Sequence, residues 1–185
     1  MMLTMVPSAF AEGADGDTLQ NKINQASENA TITLDKAYTE SITIPEGKTI
    51  TLDLNGQTLI NEEGKHTITN EGTLTIVGTG TVDNVSHGKG AVYNDAGATC
   101  TILGGNYTRS QENGQSDSDS GGNSWYAIKN FGTMTIGEEG APNDAVKVSF
   151  TGKYSSLVAN GWQDGAAAGQ PNKEPAYELS LIHIS

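Results

Sequence analysis

The side chains in this sequence that could carry chemistry are few and widely spaced. "QENGQSDSDSGGNSW" (111–125) sets Asp117, Asp119 and Asn123 in a D-x-D-x-x-x-N spacing, oxygen ligands of the kind Ca²⁺ takes. An EF-hand loop would add a third ligand at its fifth position and a Glu at its twelfth, where Ile128 stands instead. The same Gly, Ser and Asp richness is what a flexible excursion needs, and the stretch reads first as that, with Ca²⁺ the one cofactor it admits. Tyr107 and Trp125 flank it as aromatic faces for a sugar or a protein partner, with Arg109, the sole arginine, at its lip.

Catalytic readings find less support. Glycoside hydrolysis needs two carboxylates facing one groove, about 5 to 9.5 Å apart. Asp53 is an outward carboxylate, but the positions that follow in its column are Thr75, Thr101 and Thr135, so it has no partner. A lyase would want several carboxylates for Ca²⁺ and a basic proton acceptor, and Arg109 stands alone. "SHGKG" (86–90) places His87 and Lys89 in a glycine-rich bend, and His66 follows "EEGK"; both histidines read as solvated turn residues. The chain holds no Gly-rich phosphate cradle, Cys-x-x-Cys pair or nucleophile elbow. Cys100, the single cysteine, forms no internal disulfide and reads as a small core residue. No residue is assigned a catalytic role.

Composition restricts the partners and the shape. A net charge of -12, from 22 acidic and 10 basic residues, argues against a phosphate-reading surface and hence against nucleic acid. Its first meaning is solubility. With 185 residues, of which 35% are hydrophobic, the chain suits one thin, elongated domain with a narrow core. Gly 23 against Pro 5, among runs of Thr, Asn, Ile and Val, favours turn-rich β-structure.

Self-similarity supplies the elements. "TLDLNG" (51–56), "TLTIVG" (73–78), "TCTILG" (99–104) and "TMTIG" (133–137) each alternate Thr or Asp with an apolar residue. One face then carries Leu52/Leu54, Leu74/Ile76, Cys100/Ile102 and Met134/Ile136, and the other carries Thr51/Asp53, Thr73/Thr75, Thr99/Thr101 and Thr133/Thr135. A second unit, "ITN" (68–70), "VYN" (92–94), "IKN" (128–130) and "VAN" (158–160), ends in Asn at each bend. These asparagines read as a turn ladder, since Asn tolerates left-handed backbone and bonds neighbouring amides. A third unit is "GQTLI", "GTGTV", "GNYT" and, after an insertion, "VKVSF" (146–150). Three short strands per repeat, at spacings of 22, 26 and 34 residues between successive Leu52-type positions, suit a solenoid rather than a hairpin meander. The expected fold is an all-β, right-handed parallel β-helix over 31–178 with an insertion at 109–124. Ahead of it, 12–30 forms a capping segment whose short helix starts at an Asp17 N-cap and covers the open end with Leu19, Ile23 and Ala26.

The ends read differently from the middle. "MMLTMVPSAFA" (1–11) has the apolar run and A-x-A pattern of a truncated signal peptide cleaved after Ala11, which predicts export. No later segment approaches the roughly 18 apolar residues of a membrane span. "LSLIHIS" (179–185) looks like the translated end of a sequencing-library adapter, so the chain reads as a metagenomic fragment and the downstream strand of the "VAN" repeat as lost.

"SITIPEGKTITLDLNGQTL", followed by N-x-G-T-L-T-I-x-G units, resembles the secreted right-handed parallel β-helix proteins of gut Firmicutes and related bacteria, many of them adhesin-like cell-surface proteins. The likeness spans about residues 15 to 161. It implies a Gram-positive, extracellular or cell-surface setting and partners such as host or dietary glycans or surface proteins. It carries over no catalytic residue, because that family is defined by its repeats. The function expected is non-catalytic display of binding loops. The alternatives are a carbohydrate-active enzyme, lyase or hydrolase, whose groove lies in missing turns, and a structural spacer.

Overall fold

The computed structural model describes residues 18–86, 88–111, 126–142, 144–149, 156–160 and 179–181. After one helix, α1 (Leu19–Gln25), the chain winds through five successive turns of three short strands. The first turn is β1 (Ala30–Thr33), β2 (Tyr38–Thr39) and β3 (Ile42–Ile44); the second is β4 (Thr49–Asp53), β5 (Thr58–Ile60) and β6 (Ile68–Asn70). The third is β7 (Thr73–Val77), β8 (Thr81–Asp83) and β9 (Val92–Asn94), and the fourth β10 (Thr99–Ile102), β11 (Gly105–Thr108) and β12 (Tyr126–Asn130). The fifth is β13 (Thr133–Ile136), β14 (Val146–Val148) and β15 (Ser156–Asn160), with β16 (Leu179–Leu181) beyond it. Every strand pairs in parallel with its counterpart one turn away, giving sheets β1-β4-β7-β10-β13-β16, β2-β5-β8-β11-β14 and β3-β6-β9-β12-β15. This is the expected parallel β-helix.

Period-two alternation places one side of each strand inside. The first sheet stacks Ile32, Leu52, Ile76, Ile102 and Ile136 in one inner column, and Ile50, Leu74, Cys100 and Met134 in the next. The second sheet contributes Tyr38, Leu59, Val82, Tyr107 and Val148, and the third Ile42, Ile68, Val92, Ile128 and Val158. Cys100 is fully buried in its column, and that burial pushes its thiol up to about 12.

The register corrects the sequence alignment in one turn. Thr49 pairs with Thr73 and Thr51 with Thr75, so the second turn aligns two residues earlier than "TLDLNG" suggests. A slip of two keeps every side chain on its expected face, which is why alternation alone does not reveal it. The corner decides the matter. Leu54 to Gln57 fill it, with Asn55 and Gly56 at positive φ, whereas the next turn needs only Gly78 to Gly80. Asp53 therefore lies between Thr33 and Val77 rather than below Thr75, and its carboxylate accepts the Asn55 N–H at 2.9 Å. The outward hydroxyl columns are Thr49-Thr73-Thr99-Thr133 and Thr31-Thr51-Thr75-Thr101-Thr135.

The asparagines do form a ladder, buried at Asn70, Asn94 and Asn130 and exposed at Asn160. Asn70 Nδ2 donates to Asn94 Oδ1, Asn94 to Asn130 and Asn130 to Asn160, each at 2.7 Å. The same amides serve the bend, since Asn70 also donates to the Thr99 carbonyl and Asn130 Oδ1 accepts the Gly132 N–H. None of the four has the left-handed backbone expected of it; Asn29 and Asn55 do. In the first turn Ile44 occupies the column, so the ladder starts at Asn70. At the same bend an added Cβ on Gly132 would lie 2.2 Å from the Ala98 carbonyl oxygen, so only glycine fits there.

Helix α1 closes the first turn with Leu19 and Ile23 fully buried and Ala26 packed against the core. Its N-cap is Thr18, whose hydroxyl accepts the Asn21 N–H, rather than the expected Asp17, which lies outside the described residues. The Glu40 carboxylate accepts the N–H groups of Leu19 and Gln20, both at 2.8 Å. At the other end Lys48 Nζ donates to the carbonyls of Ile23, Asn24 and Ala26. The Gln20 side chain exchanges two hydrogen bonds with the Thr43 backbone, as a neighbouring strand would, and so occupies part of the open edge of β3.

At the far end Leu179–Leu181 pairs with Met134–Ile136, where the sequence predicted a lost strand. The expected boundaries at 11 and 178 lie outside the described residues.

Two outcomes follow for stability. Asn94→Ala strands the Asn70 donor and the Asn130 acceptor inside the core, and should lower the unfolding free energy by about 2–4 kcal/mol, against under about 0.5 for the outward Thr101→Val. Urea denaturation of the two variants measures the difference. Cys100 should resist iodoacetamide at pH 8 in the native protein and react once urea unfolds it, because the buried thiol stays protonated far above that pH; mass spectrometry reads the alkylation.

Candidate functional site

Corners, not strands, carry the variation in this solenoid. Between β5 and β6 the chain runs through residues 61–67, and one turn higher, between β8 and β9, through 84–91. Repeat spacing superposes them, and their backbones bond: the Thr67 N–H donates to the Gly90 carbonyl and the Ala91 N–H to the Ala127 carbonyl of the following turn.

Asn84 clamps the two loops together. Buried completely, its Nδ2 donates to the Lys65 carbonyl at 3.0 Å, to Thr67 Oγ1 at 3.1 Å and to the Gly90 carbonyl at 2.9 Å. Asn61, also buried, ties the outer part of the corner by donating to Ser86 Oγ and accepting the Val85 N–H. Ser86 Oγ in turn accepts the Gly64 N–H. Lys129, on the outward side of β12 yet only 2% exposed, reaches the Gly88 carbonyl. These bonds fix the backbone that presents Lys65, His66 and Lys89.

The three border a groove of about 390 Å³ that runs along the solenoid axis across three turns, with Ser41 and Thr43 from the first turn and Thr69 from the second. His66 Nδ1 accepts the Gly90 N–H at 2.9 Å, which sets the imidazole proton on Nε2. The ring stacks on Tyr93, centroids 4.7 Å apart at 28°, and Tyr93 meets Phe131 at 5.3 Å. Tyr93 belongs to the outward column of the third sheet, directly above Thr69. Ammonium groups, hydroxyls and a half-exposed aromatic pair thus converge on a rigid frame. Such a set binds by charge, hydrogen bonding and stacking.

A second, smaller groove of about 260 Å³ gathers Glu46, Glu71 and Asp95 from the bends after β3, β6 and β9. Sequence reading looked for stacked carboxylates in the Thr columns and missed these. Glu46 and Glu71 are exposed, and no apolar wall encloses the set as a proton-holding catalytic acid requires.

Of the site residues expected from sequence, the structure describes Tyr107 and Arg109, and both are buried. Tyr107 is no ligand platform: it fills the inner column above Val82, fully buried, and its hydroxyl donates to the Gly104 carbonyl at 2.8 Å. Alternation already implied this, because "GNYT" aligns Tyr107 with the inward Val82 of "GTGTV". Arg109 is likewise buried rather than at a lip, following β11 as Asn84 follows β8. Trp125, Asp117, Asp119, Asn123 and His87 lie outside the described residues. Among the described residues no group of three or more His, Cys, Asp or Glu is placed to hold a metal ion. No described helix is long and apolar enough to cross a membrane.

No protein-family model, curated protein or solved structure matches this chain. The site is therefore argued from its own geometry.

Asn84→Ala removes the donor shared by three acceptors. The loss should be about 2 kcal/mol in global stability, with faster amide exchange at Gly90 and Ala91 than at core strand positions such as Leu74, as hydrogen exchange followed by NMR would record.

Proposed function

We propose that this chain is a non-catalytic, adhesin-like segment of a secreted or cell-surface bacterial protein, and that it binds glycans in the groove formed by Lys65, His66, Lys89 and their hydroxyl neighbours. The observation that carries the reading is the stacked His66–Tyr93 pair set beside that groove. A sugar presents an apolar C–H face and a polar rim, and an aromatic plane flanked by hydroxyl and ammonium donors complements both. Export is supported by the Ala9-Phe10-Ala11 pattern, and a Gram-positive surface setting by the family resemblance.

The scaffold suits such a role. Ladder columns hold the groove in place, while the corners accept loops of different length, including the long connection between β11 and β12 that remains a second candidate for recognition. A carbohydrate-active enzyme fragment is the competing reading, with Glu46, Glu71 and Asp95 in its favour. The exposure of Glu46 and Glu71 counts against it, because a carboxylic acid held protonated for catalysis needs apolar burial.

A glycan array probed with the whole chain tests the proposal. Binding should fall about tenfold in a His66→Ala/Tyr93→Ala double variant whose urea midpoint is little changed, since both side chains are only partly buried. Equal binding by the double variant, or binding lost only on deletion of 111–124, would move recognition away from this groove.

A further inference from the structure

We infer that the glycan held in this groove is anionic, its carboxylate or sulfate seated between Lys65 and Lys89; the inference rests on the glycan-binding reading above. In a chain with 22 acidic and 10 basic residues, the described residues that line this groove include two lysines and a histidine and no carboxylate. The groove at the neighbouring bends is the reverse, with three carboxylates and no cation. The two differ in sign although they lie on adjacent corners of the same turns.

The overall charge of -12 does not decide what enters. At physiological ionic strength fields between exposed charges decay over roughly 8 Å, so the immediate lining outweighs distant carboxylates. Glu62 is the nearest competitor, pairing with Lys65 Nζ at 2.6 Å, but both side chains are largely exposed, at 63% and 49%. Such a pair holds weakly and yields to a ligand anion at the same ammonium. Lys65 and Lys89 come from successive turns, so the two ammonium groups approach the groove from stacked loops whose backbones Asn84 fixes. The loop backbones that anchor both lysines are fixed beside one groove, with Ser41, Thr43 and Thr69 left to meet sugar hydroxyls along the axis.

Lysine is a compact point charge without the planar fork that would select carboxylate geometry, so the side chains alone specify an anion and not which one. Titration calorimetry on the full chain with three probes of matched length separates the cases: an oligogalacturonate, a sulfated galacto-oligosaccharide and a neutral galacto-oligosaccharide. One or both anionic probes should bind about tenfold tighter than the neutral one, and added salt should narrow that gap. Lys65→Met and Lys89→Met should each weaken the anionic probe about fivefold or more and the neutral probe by less than about twofold, and Lys147→Met, on the far β14, should change neither. The tighter of the two anionic probes identifies the substituent. Neutral and anionic probes binding alike, or lysine variants that bind the anion normally, would overturn the anionic assignment and leave glycan binding standing. Failure of all three probes would instead remove the glycan reading beneath it.

Discussion

Every part of this fold depends on one constraint: successive turns must present their backbone N–H and C=O groups at the same height and in register. Parallel pairing between turns meets it for the strands. Inside the corner after the third sheet, where apolar side chains alone would leave bend carbonyls unsatisfied, the constraint is met by Asn70, Asn94 and Asn130, the last donating to the exposed Asn160. A buried primary amide is costly unless both its oxygen and its nitrogen find partners. Here each amide finds them in the equivalent residue of the next turn and in the bend carbonyls. The same polar side chain is tolerable only because it recurs.

Stacking also explains where function can reside. Columns such as Ile32-Leu52-Ile76-Ile102-Ile136 leave little latitude, since each member touches a copy above and below. Corners escape that pressure. The connection between the second and third sheets grows from 61–67 to 84–91 to the long stretch after Thr108 without shifting the strands on either side. Grooves of opposite charge on neighbouring corners are a direct product of this freedom, because a turn residue answers mainly to solvent and to the loop stacked on it.

Much of the fold was legible in the sequence because alternation and recurrence are the signals stacking leaves behind. The three-strand repeat, the inner aliphatics, the Thr columns and the asparagine ladder were all readable from T-h-T-h and x-x-N units. Alternation fixes register only modulo two, and a slip of two placed Asp53 under Thr75 instead of Val77. The groove was hidden for a related reason. His66 and Gly90 are 24 residues apart, the same offset as Asn70 and Asn94, so the ladder predicted that they stack. Nothing in either local stretch announced it, and His66 and Lys89 looked like separate solvated turns. Tyr107 and Arg109 misled in the opposite direction: residue types enriched at binding surfaces, yet placed inside by the strand they sit on or follow.

The attachment of the N-terminal helix has a bearing on how the chain assembles. Seven residues are too few to hold a helix in water unaided. Its free N–H groups are met by Glu40 and its last carbonyls by Lys48, which belong to the first and second turns of the solenoid. The helix therefore settles only once Glu40 and Lys48, which follow it in the chain, are in place.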